Sequence, residues 1–154
     1  MAVVAGLAIV LLGLAILLVY LARKRYVMVC VRGPSMEPTL SDGDRVVVKR
    51  ANVEAIKRDQ LVVLVSPYDK VWHDFSLQRI KNLVDTEWIV KRAAAIPGDR
   101  VPGDSSGATV PAGALYVLGD NPAASYDSRE FGSVRGELIL GTVQRLATAP
   151  HRNG

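Results

Sequence analysis

"EWIVKRAAAIPGD", residues 87–99, decides between a helical and a β reading of this chain. Trp88, Ile89 and Val90 are of the aromatic and β-branched types that suit a pleated surface. Pro97, Gly98 and Asp99 then close the run as a turn. Five further runs have the same character: 26–32 "YVMVCVR", 45–49 "RVVVK", 61–65 "LVVLV", 114–118 "ALYVL" and 137–143 "ELILGTV". Between them lie "SDGD", "SPYD", "PGDSSG", "GDNPA" and "FGSVRG", all rich in Gly, Pro, Asp and Asn. Short strands with regular turn punctuation predict a mainly β domain, sandwich- or barrel-like. "NVEAIKR" (52–58) is the one short helix expected, and polar 67–82 is expected as a long excursion or irregular hairpin.

The amino-terminal end differs. Residues 2–22 carry no charge, and at 1.5 Å per residue their helix would be about 31 Å long, the thickness of a bilayer core. A cleaved signal peptide would want a basic start and a small-residue cleavage site, whereas this run ends in Arg23, Lys24 and Arg25. Residues 1–22 are therefore expected to be a transmembrane anchor and 23–30 a basic juxtamembrane segment leading into the first strand. Residues 31–148 would then be the catalytic domain and 149–154 a flexible tail.

All the charge follows the apolar run, 19 basic residues against 15 acidic. No basic stripe with interleaved aromatics stands out, so nucleic acid is not the expected partner. The Arg23–Arg25 cluster is expected among lipid headgroups. A basic cluster after the span, taken alone, would place the following domain inside the cell. Cys30 is the only cysteine, which excludes an internal disulfide and suggests a small buried side chain.

Serine chemistry is suggested by "VRGPSMEPTL" (31–40), where Pro34 and Pro38 stiffen the chain around Ser35. A serine needs a base. The histidines are His73, in a surface-like stretch, and His151, four residues from the end of the sequence; neither is a convincing partner. Lys91 is the other candidate, set among apolar neighbours where lost solvation favours the neutral amine. A lysine that snorkels or pairs with a carboxylate is the competing reading.

Four segments in order resemble the type I signal peptidase family (S26), membrane-bound Ser-Lys proteases: "GPSMEPTL" (33–40), "DGDRVVVKR" (42–50), "VKRAAAIPGD" (90–99) and "GDNPAASYDSREFGSV" (119–134). The resemblance implies a core of coiled antiparallel sheets, Ser35 as nucleophile and Lys91 as general base. It implies that Ser125 orients the Lys91 amine, that Asp127 and Arg129 pair to brace the loop, and that Asp120 and Asn121 shape a turn. Val31, Met36 and Val90 match positions near pockets for small substrate side chains; plain core packing would explain them equally. The implied substrates are signal peptides of exported preproteins, cut after A-x-A-like sites by a monomer with no metal or cofactor. The implied location is the plasma membrane, single-pass, with the catalytic domain on the extracytoplasmic side.

Two positions depart from the pattern. Gly33 stands where many members have a serine whose hydroxyl assists the oxyanion hole, and Ala95 stands where glycine is usual. Two alternatives stay open: a leader peptidase of the same fold dedicated to one substrate, and an anchored module that binds signal peptides without cutting them.

Overall fold

A computed structural model of the protein describes residues 2–68 and 86–148, apart from the side chains of residues 2–6, 8, 22 and 148. Most of the 67–82 excursion, His73, and the 149–154 tail with His151 lie outside the described residues.

Helix α1 runs over Ala2–Arg25, with Arg23, Lys24 and Arg25 in its last turn, where the negative end of the helix dipole favours cations. The Lys24 ammonium sits over the Tyr20 ring, 4.7 Å from its centre. Its described apolar side chains, Leu7 and Ile9 through Leu21 among them, are exposed. Among the described residues, no helix is long and apolar enough to cross a membrane.

The chain passes from α1 directly into β1 (Tyr26–Cys30), then β2 (Arg45–Arg50), β3 (Leu61–Val65), β4 (Trp88–Ala95), β5 (Ala114–Leu118), β6 (Val134–Arg135) and β7 (Ile139–Thr148). These seven strands form one antiparallel sheet in the order β1-β2-β7-β3-β4-β5-β6. It is a single sheet that curls on itself: Val29 of β1 shares one buried cluster with Val63 of β3 and Val90 of β4. On the other face, Val62, Leu64 and Val65 pack with Ala93, Leu115, Val117 and Val134. β3 is thus apolar throughout because both its faces are covered.

Several elements differ from the sequence expectation. "NVEAIKR" gives only a 3-10 turn at Val53–Ala55, and "ELILGTV" starts with another at Gly136–Leu138 before β7 extends to Thr148. A four-residue helix, α2 (Ser128–Phe131), stands within the last motif. Cys30 is exposed: side chains alternate along β1, and Val29 takes the inward position.

Candidate active site

β4 is paired with β3 so that Lys91 lies opposite Val62. Its side chain is buried, 3 % exposed. The amine donates to Ser125 Oγ at 2.9 Å, and Ser125 Oγ donates in turn to Asp127 Oδ2 at 2.7 Å. The directions follow from proton counting. A carboxylate only accepts, so the single hydroxyl proton of Ser125 goes to Asp127, and Ser125 must accept from Lys91. A neutral Lys91 amine held this way spends one N–H on Ser125 and keeps its lone pair for another group.

Asp127 is fully buried and heavily bonded. Arg129 grips it through Nε to Oδ1 and Nη2 to Oδ2, both at 2.8 Å, and the Gly119 N–H donates to Oδ2 at 2.9 Å. It also caps α2: it accepts from the Arg129 N–H, while its own N–H donates to Glu130 at 2.8 Å. This reciprocal box explains how so short a helix forms. Ser128 Oγ accepts from the Val117 N–H at 2.9 Å and stitches α2 to β5.

The electrostatics follow from this packing. Burial pushes the Lys91 pKa down from the ordinary 10.5, against the opposing pull of Asp127 and Glu130. Burial pushes Asp127 up, but the bonds from Arg129, the Gly119 amide and Ser125 outweigh it and hold the carboxyl well below the usual range. An amine whose neutral form is favoured by burial therefore lies one hydroxyl away from a carboxylate whose charge is held by its bonds.

Ser35 sits half-buried in the loop between β1 and β2. Its carbonyl accepts from the Asn121 N–H at 3.0 Å, and the Pro34 carbonyl accepts from Asn121 Nδ2 at 3.2 Å. Met36 and Leu40 anchor the loop in the core. The Glu37–Pro38 peptide is cis. Among the described residues, Ser35 Oγ makes no hydrogen bond, and the Lys91 amine is bonded to Ser125 rather than to it.

Gly119 joins the two halves. A Cβ built on it would collide with Ser125 Oγ and with the Ser35 carbonyl oxygen. The next residue, Asp120, accepts from Arg92 Nε at 2.8 Å and from Thr39 Oγ1, while Arg92 Nη1 donates to the Asp59 carbonyl at 2.7 Å. Arg92, more than burial can offset, holds the Asp120 carboxyl below its usual range. Segments around residues 39, 59, 92 and 120 are thereby locked together beside the loop of Ser35.

A groove of about 390 Å³ opens between residues 27–30 of β1 and residues 86–89 at the start of β4. Both strands run from this groove toward the site, β1 to Ser35 and β4 to Lys91. Among the described residues, β1 pairs with β2, and β5 joins β4 from Arg92 onward. Val31, Met36 and Val90 do not line it; they are 3 %, 1 % and 4 % exposed in the cluster beneath.

The sequence reading named Ser125, Asp127, Arg129, Asp120 and Asn121, and the structure brings all five into bonded contact with Lys91, with one another or with the Ser35 loop. It passed over Gly119 and Arg92. Gly119 had a signal, since it opens the "GDN" turn; Arg92 had only its adjacency to Lys91. Among the described residues, no group of His, Cys, Asp and Glu is placed to hold a metal.

The family model for signal peptidase, peptidase S26, matches residues 4–106 and 102–147. Signal peptidase I V of Bacillus subtilis (strain 168) is 30 % identical over 135 residues, covering 73 % of this chain and 80 % of that protein. Signal peptidase IB of Staphylococcus aureus (strain Mu50 / ATCC 700699) is 31 % identical over 139 residues, 73 % of each. Mitochondrial inner membrane protease subunit 1 of Mus musculus is 31 % identical over 124 residues, 75 % of this chain and 66 % of that one.

Proposed function

Because the chain belongs to the signal peptidase family, peptidase S26, and is a serine endopeptidase that removes signal peptides from preproteins, we propose that Ser35 is its nucleophile and Lys91 its general base. The observation that carries this reading is the buried Lys91 amine, bonded to Ser125 while Ser125 gives its proton to Asp127. That chain of bonds leaves one lone pair, on a base whose neutral form is favoured by burial.

Substrate lies extended in the groove as an added strand, with alternate side chains turned toward the core. Small residues one and three positions before the cut suit a groove whose wall is closed from beneath by the packed cluster of Val31, Met36 and Val90, which lie under the surface the substrate meets. Lys91 takes the Ser35 proton as Oγ bonds to the carbonyl carbon. The carbonyl oxygen becomes an oxyanion beside the Ser35 N–H, which has no acceptor among the described residues. Collapse breaks the C–N bond, and Lys91 returns the proton to the departing amine. Water, losing a proton to Lys91, then attacks the acyl carbon; the C–Oγ bond breaks, Lys91 returns that proton to Ser35 Oγ, and the free carboxylic acid leaves.

In the same reading, residues 1–22 anchor the chain in the lipid bilayer, supported by the uncharged run and the basic last turn of α1. Residues 23–30 lead from the membrane, 31–148 form the catalytic unit and 149–154 are a tail. The protein acts as a monomer on the extracytoplasmic side of the plasma membrane, where signal peptides are cut; folded domains translocate despite a basic flank.

The test is cleavage of a precursor bearing an A-x-A site by the detergent-solubilised protein, with the product identified by mass. Cutting after the second Ala, blocked by Phe at that position and absent in Ser35→Ala, is the expected result. Cleavage by Ser35→Ala would refute the nucleophile assignment.

Gly119 offers a second check. Gly119→Ala drives a methyl into Ser125 Oγ and the Ser35 carbonyl, displacing base and nucleophile together. The expected outcome is a fall of about 10²-fold in kcat, the effect of a misplacement of about 1 Å. Thermal melting should show destabilisation of about 1–3 kcal/mol, as for other overpacked sites.

A further inference from the structure

We infer that Asp42 is a positioning residue for the oxyanion site: its carboxylate holds the Gly33 amide and thereby sets the direction of the Ser35 N–H. This rests on Ser35 being the nucleophile. Residues 31–44 form a loop closed at its base, where the Val31 N–H donates to the Asp44 carbonyl at 2.7 Å and the Gly43 N–H to the Val31 carbonyl at 3.0 Å. One step further along, the Gly33 N–H donates to Asp42 Oδ1 at 2.7 Å. Gly33 is at φ +78°, a left-handed conformation that glycine adopts freely.

Little freedom remains between this bond and the nucleophile. Pro34 has a fixed φ and no N–H. The Pro34–Ser35 peptide is planar and trans, so its C=O and the Ser35 N–H point in opposite directions. Asn121 Nδ2 and the Glu37 N–H both donate to the Pro34 carbonyl, at 3.2 and 3.1 Å. That plane is therefore held at its carbonyl edge by Asn121 and Glu37, and at its entry by Asp42 through Gly33. The Ser35 N–H projects from the far edge with no acceptor among the described residues.

The arrangement matters more here because Gly33 has no side chain. No hydroxyl can add a donor at that position, and Asp42 already occupies the Gly33 N–H. Stabilisation of the oxyanion then depends on how accurately one backbone amide is aimed. Asp42 is exposed, so its task is separable from the core.

The test compares Asp42→Ala and Asp42→Asn in the full chain, in detergent, with Ser35→Ala as control. Asp42→Ala should lower kcat by about 10²-fold, the lower end for loss of an oxyanion donor, with KM changed by less than about twofold. Asp42→Asn keeps an oxygen that accepts from Gly33 and should stay within about threefold of wild type, because a neutral acceptor retains most of such a bond. Both variants should melt with the wild type. Wild-type kcat in Asp42→Ala, a loss confined to KM, or equal losses in both variants would overturn the inference. Activity in Ser35→Ala would instead overturn the nucleophile assignment, whatever Asp42 does.

Discussion

Lys91→Met should yield a protein that melts no lower than the wild type yet cleaves precursor at least about 10⁴-fold more slowly, the scale of losing the base from a nucleophile–base pair. The two effects separate because burial makes the charged amine unfavourable for folding, while the proposed mechanism needs it as the base. Lys91 is 3 % exposed, and burial opposes its charged form. A methionine of similar length fills the same space without that penalty, and replacing buried charge by apolar volume is neutral or stabilising. Ser125 keeps its bond to Asp127 in the variant. The pH dependence follows from the direction of the shift. Wild-type kcat/KM should rise with pH through a base below 10.5, as the neutral amine becomes populated. Between the lowered folded pKa and 10.5 the unfolded chain binds more protons, so wild-type stability climbs with pH across that window. In Lys91→Met this contribution to the climb is absent. Stopped assays across pH, paired with melting curves, read both effects; a variant that keeps its rate would return attention to another base.

Asp127→Ala should cost about 3 kcal/mol, a fall in melting temperature on the order of 10 °C for a domain of this size. One fully buried carboxylate receives bonds from Arg129, Gly119 and Ser125 and caps α2. Removing it leaves the Gly119 amide without its acceptor in a buried setting and opens the capping box. Activity should fall by about 10²-fold or more at temperatures where the variant is folded, since the loss of an orienting partner is of this order. The reason is the direction of one proton. Without Asp127, the Ser125 hydroxyl is free to donate to the Lys91 lone pair, competing with Ser35. Acid stability changes as well. The folded carboxyl lies well below its ordinary 3.8, so its contribution is complete above that value and is lost as pH falls through the lowered one. The variant should show a shallower acid limb, measurable by denaturation between neutral and strongly acidic pH.

Local pattern was enough where burial was local. "LVVLV" and "ALYVL" become β3 and β5 with the expected bounds, because each run is apolar, short and closed by turn residues. β7 was legible only in its first half. The expected strand ended at Val143, yet Arg45 pairs with Thr148 and Val46 with Leu146, so β2 supplies the reason for the extension. α2 had a readable sign, since Asp127 and Glu130 have capping-box spacing, but four residues are too few for a helical period. At the site, Ser125, Asp127 and Arg129 are close in sequence and could be taken together. The Arg92–Asp120 pair spans 28 residues and no local pattern announces it. The lining of the groove was equally hidden. Val31, Met36 and Val90 are core positions, and the surface above them belongs to residues whose exposure depends on how the sheet curls.

The position of β7 in the sheet has a consequence for when the sheet can close. β7 follows every other strand in the chain, yet it lies third in the order, between β2 and β3. Until it arrives, the strands make two separate pieces, β1 with β2 and β3 with β4, β5 and β6. Ser35 adjoins the first piece and Lys91 belongs to the second. Before β7 arrives, strand pairing does not connect the loop of Ser35 to β4, and the two are linked through the bonds of Asn121 and Asp120 to that loop. Closure of the sheet therefore waits on the last of its described strands, which alone pairs with both pieces.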